Sequence, residues 1–169
     1  MAQGRVADTM GKIHDLLDET LDRLEKLYEA GEGITGTPTG FIDLDELLSG
    51  LQPSALIIVG ARPAMGKTAF ALNVAAHAAV REQKPTLIFS LEMGHLELTQ
   101  RMLCSEANVD AKNMRDGKLN DDDWNRISNG IGRLADAPMW IDDNPNLTIM
   151  EIRAKACLLY TSDAADEGH

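Results

Sequence analysis

The stretch Gly60-Ala61-Arg62-Pro63-Ala64-Met65-Gly66-Lys67-Thr68 decides the fold, because it fits the pattern G-x-x-x-x-G-K-[ST]. Glycine at both ends lets the backbone wrap closely around a phosphate group. Successive N–H groups then point inward, and a helix that begins near Lys67 adds its positive amino-terminal end. Since Pro63 has no N–H, we expect the donors to begin at Ala64. The stretch therefore predicts a phosphate-binding loop.

Two side chains of this loop carry chemistry. Lys67 is placed to neutralise the β- and γ-phosphates of a nucleotide, and the Thr68 hydroxyl to coordinate Mg²⁺. The alternative is a glycine-bounded turn before a helix, a pattern that average residue usage produces in roughly one such chain in a few hundred. An apolar run before the loop and an amphipathic helix after it favour the nucleotide site. The predicted nucleotide contacts are Gly60, Ala61, Arg62, Pro63, Ala64, Met65, Gly66, Lys67, Thr68 and Ala69.

Strands and helices alternate on both sides of the loop. The run 55–59 is short and continuously apolar, as expected for a strand buried on both faces, and 86–90 and 139–141 are further strands. Helices are predicted over 43–48, from 67 to about 82, near 96–107, after Asp110, from Asn120 or Asp121, and from Ile149. The alternation predicts an α/β domain with a parallel sheet and helices on both faces.

Two helices are predicted to be amphipathic. Residues 1–30 form one helix, with apolar residues at spacings of three, four or seven and an acidic opposite face, ended by the break Gly31-Glu32-Gly33. In the helix that begins at Asn120 or Asp121, one face carries Trp124, Ile127, Ile131 and Leu134. A capping box of Thr148 and Glu151 starts the last helix.

Composition excludes several classes of protein. The 169 residues are 44% hydrophobic and 25% charged, which is ordinary for a globular domain. The net charge of −11 argues against a general nucleic-acid surface, so any such contact is local or lies outside this chain. Cys104 and Cys157 are expected to be reduced thiols of a cytoplasmic protein. Without an apolar run of about 18 residues, no membrane span is expected.

A carboxylate follows the strand predicted at 86–90. Ligands of open parallel sheets collect at the carboxyl ends of the strands, and both Gly60 and Glu92 lie just past such ends. Glu92 is therefore placed to orient a water for attack on the γ-phosphate. A solvated glutamate near a helix start is an equally good interpretation from spacing alone.

The pair Asp142-Asp143 also follows a strand, where a metal-coordinating Walker B aspartate is needed. A turn through Asn144-Pro145 into the Thr148 cap is the favoured interpretation of this stretch.

Several stretches resemble the RecA-like motor domain of replicative DNA helicases of the DnaB type. The phosphate loop and its continuation, 61–73, resemble the Walker A motif of that family more closely than a generic loop. Phe89-Ser90-Leu91-Glu92-Met93 resembles the next motif, whose glutamate is the catalytic base. The remaining stretches of the resemblance are 35–41, 43–45, 49–53, 117–119, Trp124, 126–127 and 141–143.

The resemblance implies a fold and an activity. The fold is an incomplete RecA-like P-loop domain with a parallel sheet, preceded by an amphipathic linker helix. The activity is that of a homo-hexameric ring that hydrolyses ATP with Mg²⁺ and moves along single-stranded DNA to open the duplex. Lys67 and Glu92 are then catalytic and Thr68 holds the metal. Asp142 is not the Walker B residue, because in the family that residue follows the helix that begins near Ile149.

The resemblance also divides the chain. Residues 1–30 are expected to be the linker helix, 31–156 a partial RecA-like ATPase domain, and 157–169 a tail unlike the family. The tail has no Lys or Arg and three acids, which suggests a frame shift or read-through at the end of an incomplete gene; a divergent natural terminus is the alternative. The Walker B strand, the DNA-binding loops and the arginine finger of the family are not found in these 169 residues.

Two other functions stay open at this point. One is a different RecA-like ATPase, such as a recombinase or a clock-type relative, although the stretch at 89–93 favours the helicase. The other is an interaction module, in which the first helix binds a partner and the loop merely holds nucleotide.

Overall fold

The computed structural model describes residues 12–30 and 33–166. The parts of the predicted first helix and glycine break at 1–11 and 31–32 lie outside the described residues. The helices are α1 (Ile13–Ala30), α2 (Ile42–Leu48), α3 (Lys67–Ala76), α4 (His95–Ala107), α5 (Ala111–Arg115), α6 (Asp121–Ala135) and α7 (Ile149–Asp166). The strands are β1 (Thr86–Phe89) and β2 (Met139–Asp142), and α3 continues as a π-helical turn over His77–Arg81.

β1 and β2 form a parallel pair, in register from Thr86 opposite Met139 to Phe89 opposite Asp142. The ladder continues past the strand end, where the Ser90 N–H donates to the Asp142 carbonyl at 2.8 Å. Parallel strands need a crossover connection, and α4, α5 and α6 supply it. The predicted α/β alternation and parallel pairing are confirmed for these two strands.

The core lies between this pair and helices α3, α4 and α6. Leu72 of α3 meets Leu98 and Met102 of α4, all buried. The half-buried side chains packed on them come from both strands, from α6 and from the loop between β1 and α4: Ile88, Met93, Leu134, Met139 and Ile141. A second buried group, Ala107, Val109 and Ile127, joins the end of α4 to α6. Two apolar helix faces therefore hold one face of the sheet.

The predicted buried strand over 55–59 is wrong for this structure. The segment has no strand partner, and its side chains are exposed, Leu56 to 86% and Ile58 to 83%. A cavity of about 910 Å³ separates it from Thr86 and Leu87 of β1. Parallel sheets bury apolar runs of this kind. To join the sheet, this run would need a strand between itself and β1, and the described residues contain none there.

The apolar face of α6 is only partly covered. Ile127 is buried and Leu134 half-buried, whereas Trp124 and Ile131 are 59% and 52% exposed. α6 approaches α4 at Gly130, where an added Cβ would lie 3.2 Å from the Cβ of Ala107. This close approach fixes the line of contact, so the outer part of the face stays in solvent.

The segment 35–52 builds a small unit of its own. Thr37 and Leu51 exchange backbone hydrogen bonds of 3.0 and 2.7 Å, which close the segment around α2. Inside it, the buried Asp45 carboxylate accepts from the Thr39 N–H and hydroxyl, both at 2.7 Å, and from the Gly40 N–H at 3.2 Å. The local polar groups therefore satisfy one another.

α1 forms as predicted over its described part. Its apolar side chains are exposed, from 45% for Leu16 to 89% for Tyr28. An exposed apolar face of this kind is typical of an interaction surface. Across the described residues, no helix combines the length and the apolar character that crossing a membrane requires.

Candidate nucleotide site

The phosphate loop lies where the sequence predicts it. Residues 60–66 are irregular, and α3 begins at Lys67. Gly66 precedes the helix with φ of +84°, a left-handed conformation that costs glycine little. The Phe70 N–H donates to the Gly66 carbonyl at 2.9 Å, which starts the helix, and the Met65 N–H closes a turn on the Arg62 carbonyl at 3.2 Å. The loop thus brings the amino end of α3 to the surface.

A cavity of about 590 Å³ joins this loop to Glu92. Residues 61–69 form one wall, and Glu92 and Arg101 contribute from the other side. The structure therefore brings the predicted loop and the predicted carboxylate together, although they come from separate parts of the chain. Gly60 lies beside the apolar cavity next to β1 instead.

Lys67, Thr68 and Glu92 also border a second space of about 480 Å³, between residues 57–59 and β1. The Thr68 side chain is half-buried there. A hydroxyl beside a phosphate site suits Mg²⁺, which keeps several waters and takes few protein ligands. The donor chemistry of the site thus fits a nucleotide with its metal.

Arg101 is a residue of the site that the sequence reasoning missed. It lies on α4, and its Nη2 donates to Glu97 Oε1 at 2.9 Å, one helical turn earlier. This adds a positive charge to the cavity that holds Lys67. The available signal was a cation on the helix that directly follows Glu92, but its direction depends on how α4 packs.

Asp142 is engaged away from the loop. Its carboxylate is paired with Lys155 of α7 and accepts from the Asn144 N–H at 3.1 Å. These bonds, the one from Lys155 first, lower the pKa of Asp142. The favoured interpretation of a turn leading into the Thr148 cap is confirmed, since Thr148 and Glu151 bond reciprocally at 2.8 to 3.3 Å.

Asp143 makes a different contact. One of its carboxylate oxygens, Oδ2, accepts from the His95 N–H at 2.8 Å and lies 2.7 Å from His95 Nδ1. Hydrogen bonds from the His95 backbone and side chain lower the pKa of Asp143. The end of β2 is thereby tied to the beginning of α4.

The sequence matches a known family over most of its length. The profile described as "DnaB-like helicase C terminal domain" matches residues 36–166. The replicative DNA helicase DnaC of Bacillus subtilis (strain 168) is 44% identical over 155 residues, which are 92% of this chain and 34% of that protein. The replicative DNA helicase DnaB of Leifsonia xyli subsp. xyli (strain CTCB07) is 48% identical over 135 residues, 80% of this chain and 30% of that protein.

Solved structures agree with this match. The structure titled "ATPase Domain of G40P" has a TM-score of 0.78 at 29% identity, over 84% of this chain and 51% of that one. "The Structure Of A DnaB-Like Replicative Helicase And Its Interactions With Primase" has a TM-score of 0.74 at 29% identity, over 88% of this chain and 35% of that one. These likenesses confirm the predicted incomplete RecA-like α/β fold. The chain spans about a third of the length of the curated relatives it matches, and it belongs to the family of DnaB-like helicase C-terminal domains.

Proposed function

We propose that this chain is the nucleotide-binding part of a replicative, ATP-dependent DNA helicase. The observation that supports this most directly is the shared cavity, in which the phosphate loop faces Glu92 and Arg101. The relatives named above are replicative DNA helicases, and one matching solved structure is described as an ATPase domain.

The residues of the cavity have separate roles in this proposal. Backbone N–H groups of the loop and the amino end of α3 hold the phosphates, and Lys67 neutralises the β- and γ-oxygens. Mg²⁺, when bound, withdraws charge from the phosphates, and the Thr68 hydroxyl is the ligand this chain supplies. Glu92 accepts a hydrogen bond from a water and orients it towards the γ-phosphate.

The partners are proposed at the level of the whole protein. They are further copies of the protein in a homo-hexameric ring, single-stranded DNA and a nucleoside triphosphate. One of the two matching solved structures named above is described with primase. The net charge of −11 argues against a general nucleic-acid surface on these 169 residues, so any DNA contact is local or lies outside them.

Nucleotide binding tests the proposal. We expect the chain to bind an ATP analogue with Mg²⁺ weakly, and Lys67→Ala to reduce the affinity at least about tenfold, because a charge-assisted phosphate contact is lost. Lys118→Ala is the matched control, an exposed lysine away from the cavity. Isothermal titration calorimetry measures both. Equal affinities for the two variants would contradict the phosphate site.

Hydrolysis by the 169-residue chain alone is expected near background. An arginine finger contributes about 10³–10⁵ in rate, and no residue here is assigned to that role or to the Walker B position. Steady-state phosphate release checks this expectation. Robust release that depends on both Lys67 and Glu92 would contradict it, because it would make these 169 residues a sufficient ATPase.

The exposed face of α1 belongs to the same proposal. We propose that residues 13–30 dock on a neighbouring copy of the chain, because several leucines of this helix are about half exposed. Removing residues 1–30 should therefore reduce self-association in sedimentation velocity. Unchanged self-association would contradict the docking role.

A further inference from the structure

The loop that carries Glu92 is tied down at its two ends and free in the middle. We call residues 90–94, between β1 and α4, the Glu92 loop. Leu91 and Glu92 are exposed, and within the described residues the Glu92 carboxylate has no hydrogen bond or ion pair. A carboxylate that orients a water has to be held in place, so the anchors of the loop determine where it lies.

The first anchor is at Ser90. Its N–H continues the ladder of β1 and β2, through the 2.8 Å bond to the Asp142 carbonyl. Its hydroxyl donates to the Met93 carbonyl at 2.6 Å and accepts from the Met93 N–H at 3.1 Å. The loop therefore closes on itself around Glu92.

The second anchor is Asp143. Its Oδ2 receives the His95 N–H at 2.8 Å and lies 2.7 Å from Nδ1 of the same histidine. Because an ionised carboxylate only accepts, Nδ1 carries the proton of this bond. The side chain of Asp143 is about one-third exposed and does not line the cavity of the phosphate loop. It therefore reaches the site only through the loop.

We propose that Asp143 is a positioning residue for Glu92: by binding both N–H groups of His95, it holds the end of the Glu92 loop against β2. This inference rests on the proposed function, in which Glu92 orients the attacking water. Both ends of the loop are then fixed at the carboxyl end of β2: Ser90 through the backbone of Asp142, the last residue of β2, and His95, which directly follows the loop, through the side chain of Asp143, which directly follows β2.

The test follows a group that Asp143 does not touch. In Asp143→Ala, the Met93 amide should exchange with solvent about fivefold faster, because the loop end is released. The substitution does not remove the bond from the Met93 N–H to the Ser90 hydroxyl, so any faster exchange reports on the loop. The backbone order parameter at Glu92 should fall towards about 0.6 from a value nearer 0.85. Nuclear magnetic resonance on the full 169-residue chain measures both.

Graded variants separate positioning from folding. Asp143→Asn keeps an acceptor oxygen and should restore most of the protection, and His95→Ala keeps the backbone bond and should give an intermediate result. Asp136→Ala is the matched control, since this exposed aspartate makes no side-chain hydrogen bond within the described residues. Wild-type dynamics at Met93 and Glu92 in Asp143→Ala would overturn the inference. So would a loss of protection that spreads evenly through β1 and α4.

Nucleotide affinity keeps this inference apart from the proposed function. Asp143→Ala should bind the ATP analogue within about twofold of wild type, because the phosphate loop is untouched. If Lys67→Ala fails to weaken binding, the proposed function is wrong whatever the loop does. If Asp143→Ala weakens binding as much as Lys67→Ala, Asp143 acts on the phosphate site itself and the positioning role is wrong.

Discussion

Two apolar runs of this chain, 55–59 and Thr86–Phe89, differ little in sequence and greatly in surroundings. Thr86–Phe89 pairs with β2, and all four of its residues are half-buried. The run 55–59 has no paired strand and leaves Leu56 and Ile58 more than 80% exposed. A strand therefore depends on a neighbour that accepts its backbone bonds as well as on its own side chains.

A cavity of about 910 Å³ lies between the unpaired run and the paired one. Its lining is mostly apolar and comes from both runs and from α3. The phosphate loop directly follows the unpaired run 55–59, whereas Glu92 follows β1, which is paired with β2. The two sides of the site therefore differ in whether the segment before them belongs to the sheet.

Core truncation on the two sides should produce the largest contrast. Leu98→Ala removes a side chain that is 2% exposed, and we expect a loss of about 2–5 kcal/mol in the free energy of unfolding. Ile58→Ala, at 83% exposure, should change it by about 0.5 kcal/mol or less. Urea unfolding followed by circular dichroism compares them. Similar losses would mean that the run 55–59 is packed in solution.

The buried carboxylate of Asp45 extends the comparison to the segment before the unpaired run, where it accepts three hydrogen bonds from Thr39 and Gly40. Burial by itself raises the pKa of Asp45, but the hydrogen bonds from Thr39 and Gly40 outweigh it and leave the pKa lowered. Asp45→Asn should cost about 1–3 kcal/mol near neutral pH, since its amide cannot accept all three bonds.

The pH dependence gives the sign of this effect. A carboxyl whose pKa is lowered by folding stabilises the fold above its unfolded value, 3.8 for Asp, and that contribution is lost as the pH falls through the folded pKa. As the pH falls below about 4, the free energy of unfolding should therefore decrease less in Asp45→Asn than in wild type. Asp43→Asn, an exposed neighbour on α2, is the control. Parallel pH curves for wild type and Asp45→Asn would contradict the assignment.

The smallest effect on stability is expected at the surface of the unpaired run. Leu56→Lys should change the free energy of unfolding by no more than about 0.5 kcal/mol, yet reduce self-association, because a charge blunts an apolar unpaired segment. Leu47→Lys removes a similarly exposed leucine from α2 and serves as the control. Light scattering against concentration measures the association. Equal reductions in both variants would show that exposed leucines in general, rather than this run, cause it.

Much of the site was predictable because its signals are local. The loop 60–68 is defined by spacing within a few residues, and Gly66 adopts the conformation that its position requires. The strand ahead of Glu92 was predictable from its apolar run and the helix that follows. That Glu92 meets the loop was an expectation from strand ends, and the cavity lining agrees with it.

The sequence alone determined what depends on neighbours along the chain: the capping box at Thr148, a helix start at Asn120 or Asp121, the glycine-bounded loop 60–68, and the apolar runs that become β1 and β2. Tertiary structure alone decided that the run 55–59 is exposed, that Arg101 lines the cavity of the phosphate loop, and that His95 donates a hydrogen bond to Asp143. The physical reason is range. A cap or a loop closes over three or four residues, whereas burial and long-range bonds depend on which distant segments are present to pack against.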